Sequence, residues 1–472
     1  MRKQEYSIAI PASLDAELLK FLIRHDEEEL LFALWVPSRG RRRLTALVNK
    51  LIYPIVGDRQ RHGNVSFNPA YFERVCKIAA TEGSGIAFLH SHPGPGWQGM
   101  SADDIRAEQK IMGAVAGLTD LPLLGMTVGS DGTWSARMWE HVEGKNYERI
   151  WCHSVRSVGE ALRINFNDDI LPKPEYREVY KRTYTVWGES NHANLARLRV
   201  GIVGLGSVGS IVAETLARMG LQRFTLIDFD TVLPHNLDRL LGATEEDIGK
   251  LKVLIAERQI RNSATAAKVD INAVSYSIAE EKGYNAALDC DVLFSCVDRP
   301  RARYILNHFA YAHLIPVIDG GIEVRFKHGK FSGVDWQLQT VAPGRPCLAC
   351  IKAFDPGDVT TEIEGKLDDP SYLKGLSQDH RFKRNENVFP FSANLASLEV
   401  LQFVALATNI AGITDFGIQR YRYPPGILEA DVERICQPDC DMRALIAQGD
   451  KLFNLKGKDR NAEITRSNLN KV

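Results

Sequence analysis

Short apolar runs alternate with amphipathic stretches over the first 145 residues. The runs LLFALWV, GIAFLH, LLGMTVG and TWSARMWE have the length and content of buried strands. Apolar residues at helical spacing near residues 14–25 and 101–117 predict two helices. A compact α/β or α+β domain over residues 1–145 follows from this mixture.

A different pattern begins at Arg199. RVGIVGLG is typical of a fully buried strand, SVGSIVAETLARMG of a helix, and RFTLIDFD of a second strand. The later runs DVLFSCVD and IPVIDGG also alternate with helical stretches. This order predicts a Rossmann-like, doubly wound α/β domain over residues 176–440.

The stretches around that domain are less regular. Residues 146–175 lack clear periodicity and contain Leu171-Pro-Lys-Pro174, which predicts a linker. Residues 441–472 are polar and rich in lysine and asparagine, which predicts a disordered tail.

Composition narrows the classes of function. The chain has 472 residues, a formal net charge of −1 and a pI near 6.9, so we expect no nucleic-acid partner. No apolar window reaches the length of a membrane span, and no signal peptide precedes the first domain, so we expect no membrane partner. Eight cysteines without a secretion signal favour a reducing, cytoplasmic location.

The stretch FLHSHPGPGWQGMSADD, residues 88–104, contains the first candidate chemistry. His90 and His92 follow a strand at i, i+2 spacing, so both imidazoles point to one face. Two imidazoles and a carboxylate are zinc ligands, and a set of three leaves a position for water, as in catalytic sites. Ser101 and Asp104, however, also have the spacing of a helix capping box. The two interpretations are compatible.

The complete spacing, His90-Ser-His92-Pro93, seven residues, then Ser101-x-x-Asp104, resembles the JAMM/MPN zinc metalloproteases. That family cleaves peptide or isopeptide bonds at the C-terminus of ubiquitin-like proteins. The resemblance implies that His90, His92 and Asp104 bind a catalytic Zn²⁺ and that Ser101 stabilises the oxyanion. It also implies a glutamate general base before an early strand, for which we favour Glu29, with Glu28 as second choice.

A second candidate site is the glycine-rich segment Gly204-Leu-Gly206-Ser-Val-Gly209, between a strand and a helix. Glycines there let backbone approach a phosphate at the helix N-terminus. The pattern alone also fits a dinucleotide site. Asp228, at the end of the second strand, is placed to bind a ribose in either case.

The residues that follow resemble the ThiF/MoeB and ubiquitin-activating family from about residue 176 to 440. That family uses ATP and Mg²⁺ to adenylate the C-terminal glycine of a ubiquitin-like protein, and it forms dimers. The resemblance implies that Asp228 binds ribose and that Asp298 binds Mg²⁺. It implies that Asn236, Arg239 and Lys252 contact the phosphates. It also implies a homodimer in which Arg182 of one protomer reaches the ATP bound by its partner.

Two pairs of cysteines predict a structural Zn²⁺ site. Cys347-x-x-Cys350 and Cys436-x-x-x-Cys440 supply the four thiolates of a closed tetrahedral site, although the second pair of the family is usually spaced by two residues. We expect Cys290 and Cys296 in the core and find no partner for Cys76 or Cys152.

No cysteine lies between Cys350 and Cys436, where many activating enzymes carry their thioester nucleophile. We therefore expect the acyl-adenylate to be passed directly to a thiol on another protein, with an oxyester on Ser371, Ser377 or Ser392 as the alternative.

Together these patterns predict a bifunctional enzyme of bacterial-type ubiquitin-like modification, which adenylates a modifier and cleaves amide bonds after its tail. The partners implied are a ubiquitin-like or sulfur-carrier protein and a separate conjugating enzyme or sulfur donor. Family association also suggests antiviral defence. Two alternatives are activation of a sulfur carrier for cofactor biosynthesis and a non-catalytic scaffold that binds a ubiquitin-like protein.

Overall fold

The computed structural model describes residues 4–23, 28–62, 64–144, 146–327, 330–375, 387–452 and 455–469. The chain forms two compact units. The first contains Met1–Pro172 with Ala312–Leu314 and Leu445–Phe453, and the second contains Lys173–Tyr311, Ile315–Ala444 and Asn454–Val472. Both are α/β, which confirms the α/β part of the predicted fold class.

The first unit is built on a mixed sheet. Its described strands form a sheet of nine in the order β11-β10-β1-β3-β2-β6-β7-β8-β9, with β4 and β5 as a separate hairpin. Strand β1 runs parallel to β3 and β10, and β6 runs parallel to β7. The elements are β1 (Glu5–Pro11), α1 (Ala12–Leu22), β2 (Leu30–Arg39), β3 (Arg43–Ile52), β4 (Arg59–His62), β5 (Asn64–Phe67), α2 (Pro69–Glu82), β6 (Gly85–Ser91), α3 (Ala102–Thr119), β7 (Leu123–Val128), β8 (Trp134–Glu143), β9 (Asn146–Trp151), β10 (Ser154–Val158) and β11 (Leu162–Phe166).

Strand β2 shows why its sequence is apolar without alternation. Leu31, Ala33 and Trp35 belong to the core on one face of the sheet. Leu30 and Phe32 belong to a second core on the other face. Since both faces are covered, every position of the run is buried, and the strand has no polar side.

The structure differs from the predicted linker. Residues 146–166 form β9, β10 and β11, and the first unit extends to Pro172. Strand β10 pairs in parallel with β1, which makes it an internal strand of the sheet. The predicted boundary at residue 145 therefore cuts through the sheet.

The second unit has a sheet of eight described strands in the order β14-β13-β12-β15-β16-β17-β18-β19. The first five are parallel, as predicted, and the last three are antiparallel. The elements are α4 (Lys181–Trp187), α5 (Glu189–Arg197), β12 (Arg199–Val203), α6 (Ser207–Arg218), β13 (Arg223–Ile227), α7 (Lys252–Ser263), β14 (Asp270–Val274), α8 (Glu281–Ala287), β15 (Val292–Ser295), α9 (Pro300–Ala312), β16 (Val317–Lys327), β17 (Lys330–Val341), α10 (Pro356–Ile363), α11 (Pro370–Gly375), α12 (Phe389–Thr408), β18 (Ile418–Arg422), β19 (Ile427–Asp431), α13 (Met442–Leu445) and α14 (Arg460–Leu469). Short 3₁₀ turns lie at Glu178–Tyr180, Pro234–Asn236, Glu245–Asp247, Lys366–Asp368 and Ile410–Gly412, and a further one, Gly449–Lys451, belongs to the first unit.

Helix α12 packs against α6, β16 and β17. Among the described helices it alone has the length and apolar composition of a membrane span, and 56% of its apolar window is buried inside the protein. Burial of that extent is also typical of the core helix of a globular domain.

The C-terminal segment also differs from its prediction. Residues 441–472 contain α13, the turn Gly449–Lys451 and α14. Helix α14 is fixed by polar contacts, because Arg466 pairs with Glu280 and Asn461 Nδ2 donates to Asp368 Oδ1 at 2.7 Å. A helix held in this way carries little apolar signal in its sequence.

Candidate functional sites

The first candidate site lies where β6 ends and α3 begins. His90 is paired with Leu30 of β2 and Thr127 of β7, and the backbone N–H of His92 donates to the Val128 carbonyl at 2.9 Å. These bonds extend the strand geometry through His92, so both imidazoles face one cleft. The cleft is lined by Glu28, Val65, Phe88, His90, His92, Pro93, Gly94, Gln98, Ser101, Asp103, Asp104 and Ala107.

Helix α3 brings Asp104 to this cleft through its N-cap. The Ser101 hydroxyl accepts from the Asp104 N–H at 3.1 Å, and Asp104 Oδ2 accepts from the Ser101 N–H at 2.7 Å. This is the predicted capping box, and it is confirmed. The same contacts hold the Asp104 carboxylate toward the two imidazoles.

The three side chains have the spacing of metal ligands. His90 Nε2 lies 3.2 Å from His92 Nε2. Asp104 Oδ1 is 3.3 Å from His90 Nε2, and Asp104 Oδ2 is 3.3 Å from His92 Nε2. Bonds of 2.0–2.1 Å in a tetrahedral zinc site separate two ligand atoms by about 3.3 Å. The residues present therefore fit a Zn²⁺ ion bound by three protein ligands.

The surroundings of the two imidazoles shift their pKa values in opposite directions. Burial lowers the pKa of His90, which favours the neutral ring that binds metal. The hydrogen bond to Asp104 raises the pKa of His92 against the effect of burial. Burial opposes ionisation of Asp104, but the hydrogen bonds from His90 and His92 outweigh it and hold the pKa of that carboxyl far below its usual range.

The structure places Glu28, rather than the favoured Glu29, at the cleft. Glu29 is fully buried and forms an ion pair with Arg59, while its N–H donates to Ser91 Oγ at 2.9 Å. Glu28 lines the cleft, where burial raises the pKa of its carboxyl, His92 opposes the rise and Asp104 adds to it. Successive side chains at the edge of a strand point to opposite sides, so only one of the two can face the imidazoles.

The second candidate site is the turn between β12 and α6. Gly204 has φ +88°, and a Cβ there would lie 2.4 Å from the Cys296 carbonyl oxygen. A Cβ on Gly209 would lie 2.0 Å from the Gly204 carbonyl oxygen, whereas one on Gly206 would meet nothing within 4 Å. Two glycines thus allow the turn to close, and Gly206 borders open space at the helix N-terminus.

Asp228 lies under this turn at the end of β13. Its Oδ2 accepts from the Leu205 N–H at 2.6 Å and its Oδ1 from the Asp230 N–H at 2.8 Å. Burial raises the pKa of Asp228 to about 6, against the attraction of Lys252. The carboxylate therefore joins the glycine turn to β13, and each oxygen keeps a lone pair for a ligand hydroxyl.

Lys252 begins α7 beside the same acids. Its Nζ bonds Asp230 Oδ2 at 2.8 Å. Burial lowers the pKa of Lys252, but the charges of Asp228, Asp230 and Asp298 outweigh it and raise the pKa overall. Lys252 is therefore within electrostatic reach of two other predicted residues, Asp228 and Asp298. Asp230 was missed, although its i, i+2 spacing from Asp228 in IDFD was the available signal.

Two further predicted phosphate ligands lie on the loop after β13. Asn236 Oδ1 accepts from the Leu233 N–H at 3.0 Å. Arg239 Nη1 donates to the His235 carbonyl at 2.6 Å and to Asp238 at 2.9 Å, which leaves other guanidinium donors for a ligand. Arg182 is exposed on α4. Its role across a dimer stays a prediction.

The four cysteines come together as predicted. The sulfur atoms of Cys347, Cys350, Cys436 and Cys440 all lie within 4.8 Å of one another. Cys347 and Cys440 are 3.6 Å apart, close to the sulfur separation of about 3.8 Å expected for Zn–S bonds of 2.3 Å. The donor set and its spacing fit a structural Zn²⁺.

Backbone N–H groups surround these sulfur atoms. The Cys347 N–H donates to Cys436 Sγ at 3.1 Å, and the Gln437 N–H donates to Cys350 Sγ at 3.4 Å. The hydrogen bond from the Cys347 thiol is the largest cause that lowers the pKa of Cys436 to about 5, and the Cys347 backbone N–H adds to it. Donors of this kind favour the thiolate form that binds metal.

The structure also describes the other four cysteines and two of the three serines considered as acceptors. Cys152 and Cys290 are buried, whereas Cys76 and Cys296 are partly buried. The Ser371 hydroxyl donates to Asp369 Oδ1 at 2.7 Å, and Ser377 lies outside the described residues. Ser392 is fully buried, and its Oγ lies 2.8 Å from Ser207 Oγ and 2.8 Å from Asn387 Nδ2. Ser392 of α12 therefore contacts the first turn of α6, beside the glycine turn.

Comparison with known proteins identifies the kind of domain in the second unit. Residues 180–414 match the model of the ThiF family, so the second unit carries a ThiF/MoeB-type domain and this part of the resemblance is confirmed. The SAMP-activating enzyme E1 of Haloferax volcanii is 28% identical over 186 residues, which cover 38% of this chain and 65% of that protein. The sulfur carrier protein ThiS adenylyltransferase of Bacillus subtilis is 30% identical over 182 residues, 38% of this chain and 51% of that protein.

Two further similarities extend over comparable lengths. The molybdopterin-synthase adenylyltransferase of Escherichia coli is 29% identical over 168 residues, 35% of this chain and 63% of that protein. Among solved structures, E. coli MccB with MccA-N7isoASN has a TM-score of 0.44 and 16% identity, over 57% of this chain and 75% of that chain. The chain spans about half to two thirds of the curated relatives named here.

Proposed function

We propose that the second unit uses ATP to adenylate the C-terminal carboxylate of a small ubiquitin-like or sulfur-carrier protein. The observation that carries the proposal is the convergence of the glycine turn, Asp228 and Lys252 within the region that matches the ThiF family. Two relatives are named as adenylyltransferases and one as an activating enzyme. The names of these relatives point to different substrates. The class of substrate proposed for this chain therefore rests on the activation step that the three have in common.

The chemistry requires stabilisation of negative charge. A carboxylate oxygen bonds to the α-phosphorus, the bond from that phosphorus to the bridging oxygen breaks, and pyrophosphate leaves. Lys252 and the free donors of Arg239 bind the phosphate oxygens on which charge accumulates. Asp298, whose side chain is exposed, is the residue that would hold Mg²⁺. The Asp228 carboxylate accepts a hydrogen bond from a ribose hydroxyl.

For the first unit we propose metal-dependent cleavage of an amide bond after the tail of the same kind of protein. His90, His92 and Asp104 would hold Zn²⁺, which would supply a Lewis acid at the cleft. Glu28 accepts the proton of the water that attacks the carbonyl carbon and returns it to the amide nitrogen as the carbon–nitrogen bond breaks. The Ser101 hydroxyl accepts from the Asp104 N–H, so its own hydrogen is free to donate to the oxyanion of the tetrahedral intermediate. This site resembles the JAMM/MPN metalloproteases.

Transfer after adenylation is proposed to use a thiol or sulfur donor on another protein. No cysteine occurs between Cys350 and Cys436, and Ser392 is fully buried with its hydroxyl hydrogen-bonded. These facts also suit the alternative, conversion of a sulfur carrier to its thiocarboxylate, in which a separate donor acts. Homodimerisation, a cytoplasmic location and a place in bacterial modification or defence belong to the same proposal through family resemblance.

Exchange of labelled pyrophosphate into ATP tests the adenylation. We expect exchange that depends on a candidate modifier ending in glycine and falls to background in Asp298→Ala. The matched control is Glu281→Gln, an exposed acid on α8, which retains exchange. Exchange in Asp298→Ala at the wild-type rate would contradict the assigned site.

The cleavage is tested separately by zinc content and by intact mass of a modifier carrying residues beyond its glycine. We expect trimming in the wild type and none in His92→Ala. Absence of both trimming and exchange with every candidate modifier, in a chain that also lacks zinc, would favour the non-catalytic scaffold.

A further inference from the structure

The loop that carries Asp298 has an arginine at the next position. Asp298 and Arg299 lie between β15 and α9, and Arg299 Nη2 donates to Asp368 Oδ1 at 3.1 Å. Asp368 ends the 3₁₀ turn that follows α10. The Arg299 side chain is 40% exposed and that of Asp368 is 15% exposed, so burial does not force the guanidinium to take this partner.

Arg299 is also within electrostatic reach of Asp298. Burial lowers the pKa of Arg299, but nearby acids, led by Asp368 and including Asp298, outweigh it and raise the pKa overall. Within the described residues, the exposed Asp298 carboxylate has no hydrogen bond or salt bridge. Two acids therefore compete for one guanidinium, and its pairing with Asp368 leaves the charge of Asp298 uncompensated.

The C-terminal segment holds this arrangement in place. Asn461 Nδ2 of α14 donates to the same Asp368 Oδ1 at 2.7 Å. In the first turn of α9, Arg301 Nη1 donates to the Lys458 carbonyl at 2.9 Å, and the Arg301 N–H donates to Glu362 Oε2 at 2.9 Å. Residues at and before α14 thus fix both the acid and the start of the helix that follows Asp298.

We propose that Asp368 is a positioning residue, which holds Arg299 away from Asp298 and so keeps the Asp298 carboxylate available for Mg²⁺. Without the charge of Asp368, the guanidinium would pair with the adjacent carboxylate. It would then occupy the oxygen atoms that a divalent cation requires, and its own charge would repel the cation. This inference rests on the proposed adenylation site of the second unit.

The test is the affinity of the full chain for ATP, measured by calorimetry in Mg²⁺-free buffer and at rising Mg²⁺ concentrations, with no modifier present. Asp298→Ala gives the part of the Mg²⁺ effect that does not depend on Asp298. Asp368→Asn removes the charge but keeps the oxygen that accepts from Asn461. Arg299→Gln removes the competing cation, and a double variant combines the last two changes.

The matched control is Asp335→Asn. It neutralises the acid of the Arg325–Asp335 pair, whose side chains are 46% and 14% exposed, nearly as in the Arg299–Asp368 pair. We expect it to bind ATP as the wild type does, with and without Mg²⁺.

An exposed ion pair changes an equilibrium by up to about fivefold, and repulsion between the guanidinium and the cation adds to this. We therefore expect Asp368→Asn to weaken the Mg²⁺-dependent part of ATP binding about 5- to 10-fold. Arg299→Gln, alone or in the double variant, should restore or retain wild-type binding. Such a restoration separates competition for Asp298 from a structural role, because the loss of a further contact does not repair a damaged loop.

Thermal unfolding shows whether each variant folds. If Asp368→Asn does not, Asn461→Ala takes its place, with a smaller loss that Arg299→Gln also reverses. Wild-type Mg²⁺ dependence in Asp368→Asn, or a double variant as weak as Asp368→Asn, would overturn the positioning role. Weaker ATP binding by Arg299→Gln in Mg²⁺-free buffer would make Arg299 a phosphate ligand and overturn it as well. A wild type indistinguishable from Asp298→Ala would instead overturn the metal-binding role of Asp298, on which the inference rests.

Discussion

At the scale of single residues, one position along a strand decides which carboxylate can do chemistry. Glu28 and Glu29 are adjacent and chemically identical, yet one lines the metal cleft and the other is buried against Arg59. The sequence DEEELLF contains no signal that separates them, because the choice depends on the register of β2 against β6.

Matched substitutions of these two glutamates should have different effects. We expect Glu28→Gln to retain zinc and thermal stability but to lose cleavage by at least about 100-fold, since general bases contribute about 10²–10⁴-fold. Glu29→Gln leaves the Arg59 guanidinium without its carboxylate at a buried site, so we expect a lower unfolding temperature. Cleavage rates and calorimetry on both variants measure this. Loss of cleavage in a fully stable Glu29→Gln would reverse the assignment.

A buried acid in the second unit leads to a prediction about pH. Glu399 of α12 is fully buried, with Cys296 Sγ 3.8 Å from its Oε2. Burial, with the charge of Asp319 adding to it, raises the pKa of Glu399 well above its ordinary value. The folded protein therefore keeps a proton there that the unfolded chain releases, and the stability that this proton contributes is lost as the pH rises through the raised pKa.

Glu399→Gln removes that titration with little change of shape. We expect its advantage in unfolding temperature over the wild type to grow as the pH is raised from 5.5 to 8.5. Calorimetry across this range measures it, with Glu364→Gln at an exposed position as control. An advantage that is constant with pH would show that Glu399 is ionised in the folded protein.

At the scale of elements, the segments found from sequence are those whose information is local. The strand β12, the glycine turn and α6 follow one another directly, and each carries its own signal. The three strands assigned to a linker carry none, since β10 pairs with β1 about 150 positions earlier and contains the fully buried Arg156. Helix α14 was missed for a similar reason, because ion pairs rather than an apolar stripe fix it.

The glycine turn permits a comparison of two similar substitutions. Gly206 has φ −78°, and a Cβ there meets nothing, so we expect Gly206→Ala to fold normally. That Cβ would occupy space next to the helix N-terminus, and we expect ATP binding to weaken about 10-fold or more. Gly209→Ala drives a Cβ into the Gly204 carbonyl and should lower the unfolding temperature. Calorimetry and ATP titration distinguish the two, and equal ATP affinity in Gly206→Ala and the wild type would exclude this loop as the phosphate site.

At the scale of the whole chain, the two proposed reactions are ordered by chemistry. Adenylation requires a free carboxylate on the terminal glycine, and a modifier extended beyond that glycine has an amide there instead. The first unit would then produce the group that the second unit consumes. Adenylation depends on prior cleavage only if both sites act on the same modifier molecule. A measured dependence of adenylation on cleavage therefore tests whether they do.

The decisive substrate pair is one modifier prepared with and without residues beyond its glycine. We expect the wild type to support pyrophosphate exchange with the extended form only after a lag in which intact mass shows trimming. Glu28→Gln should exchange at the wild-type rate with the trimmed form and at background with the extended form, because only cleavage is lost. Lys252→Ala should trim the extended form and exchange with neither, since it lacks the charge that stabilises the departing phosphate. If Glu28→Gln exchanged equally with both forms, the two units would serve different substrates, and the cleavage site would then act on conjugates rather than on precursors.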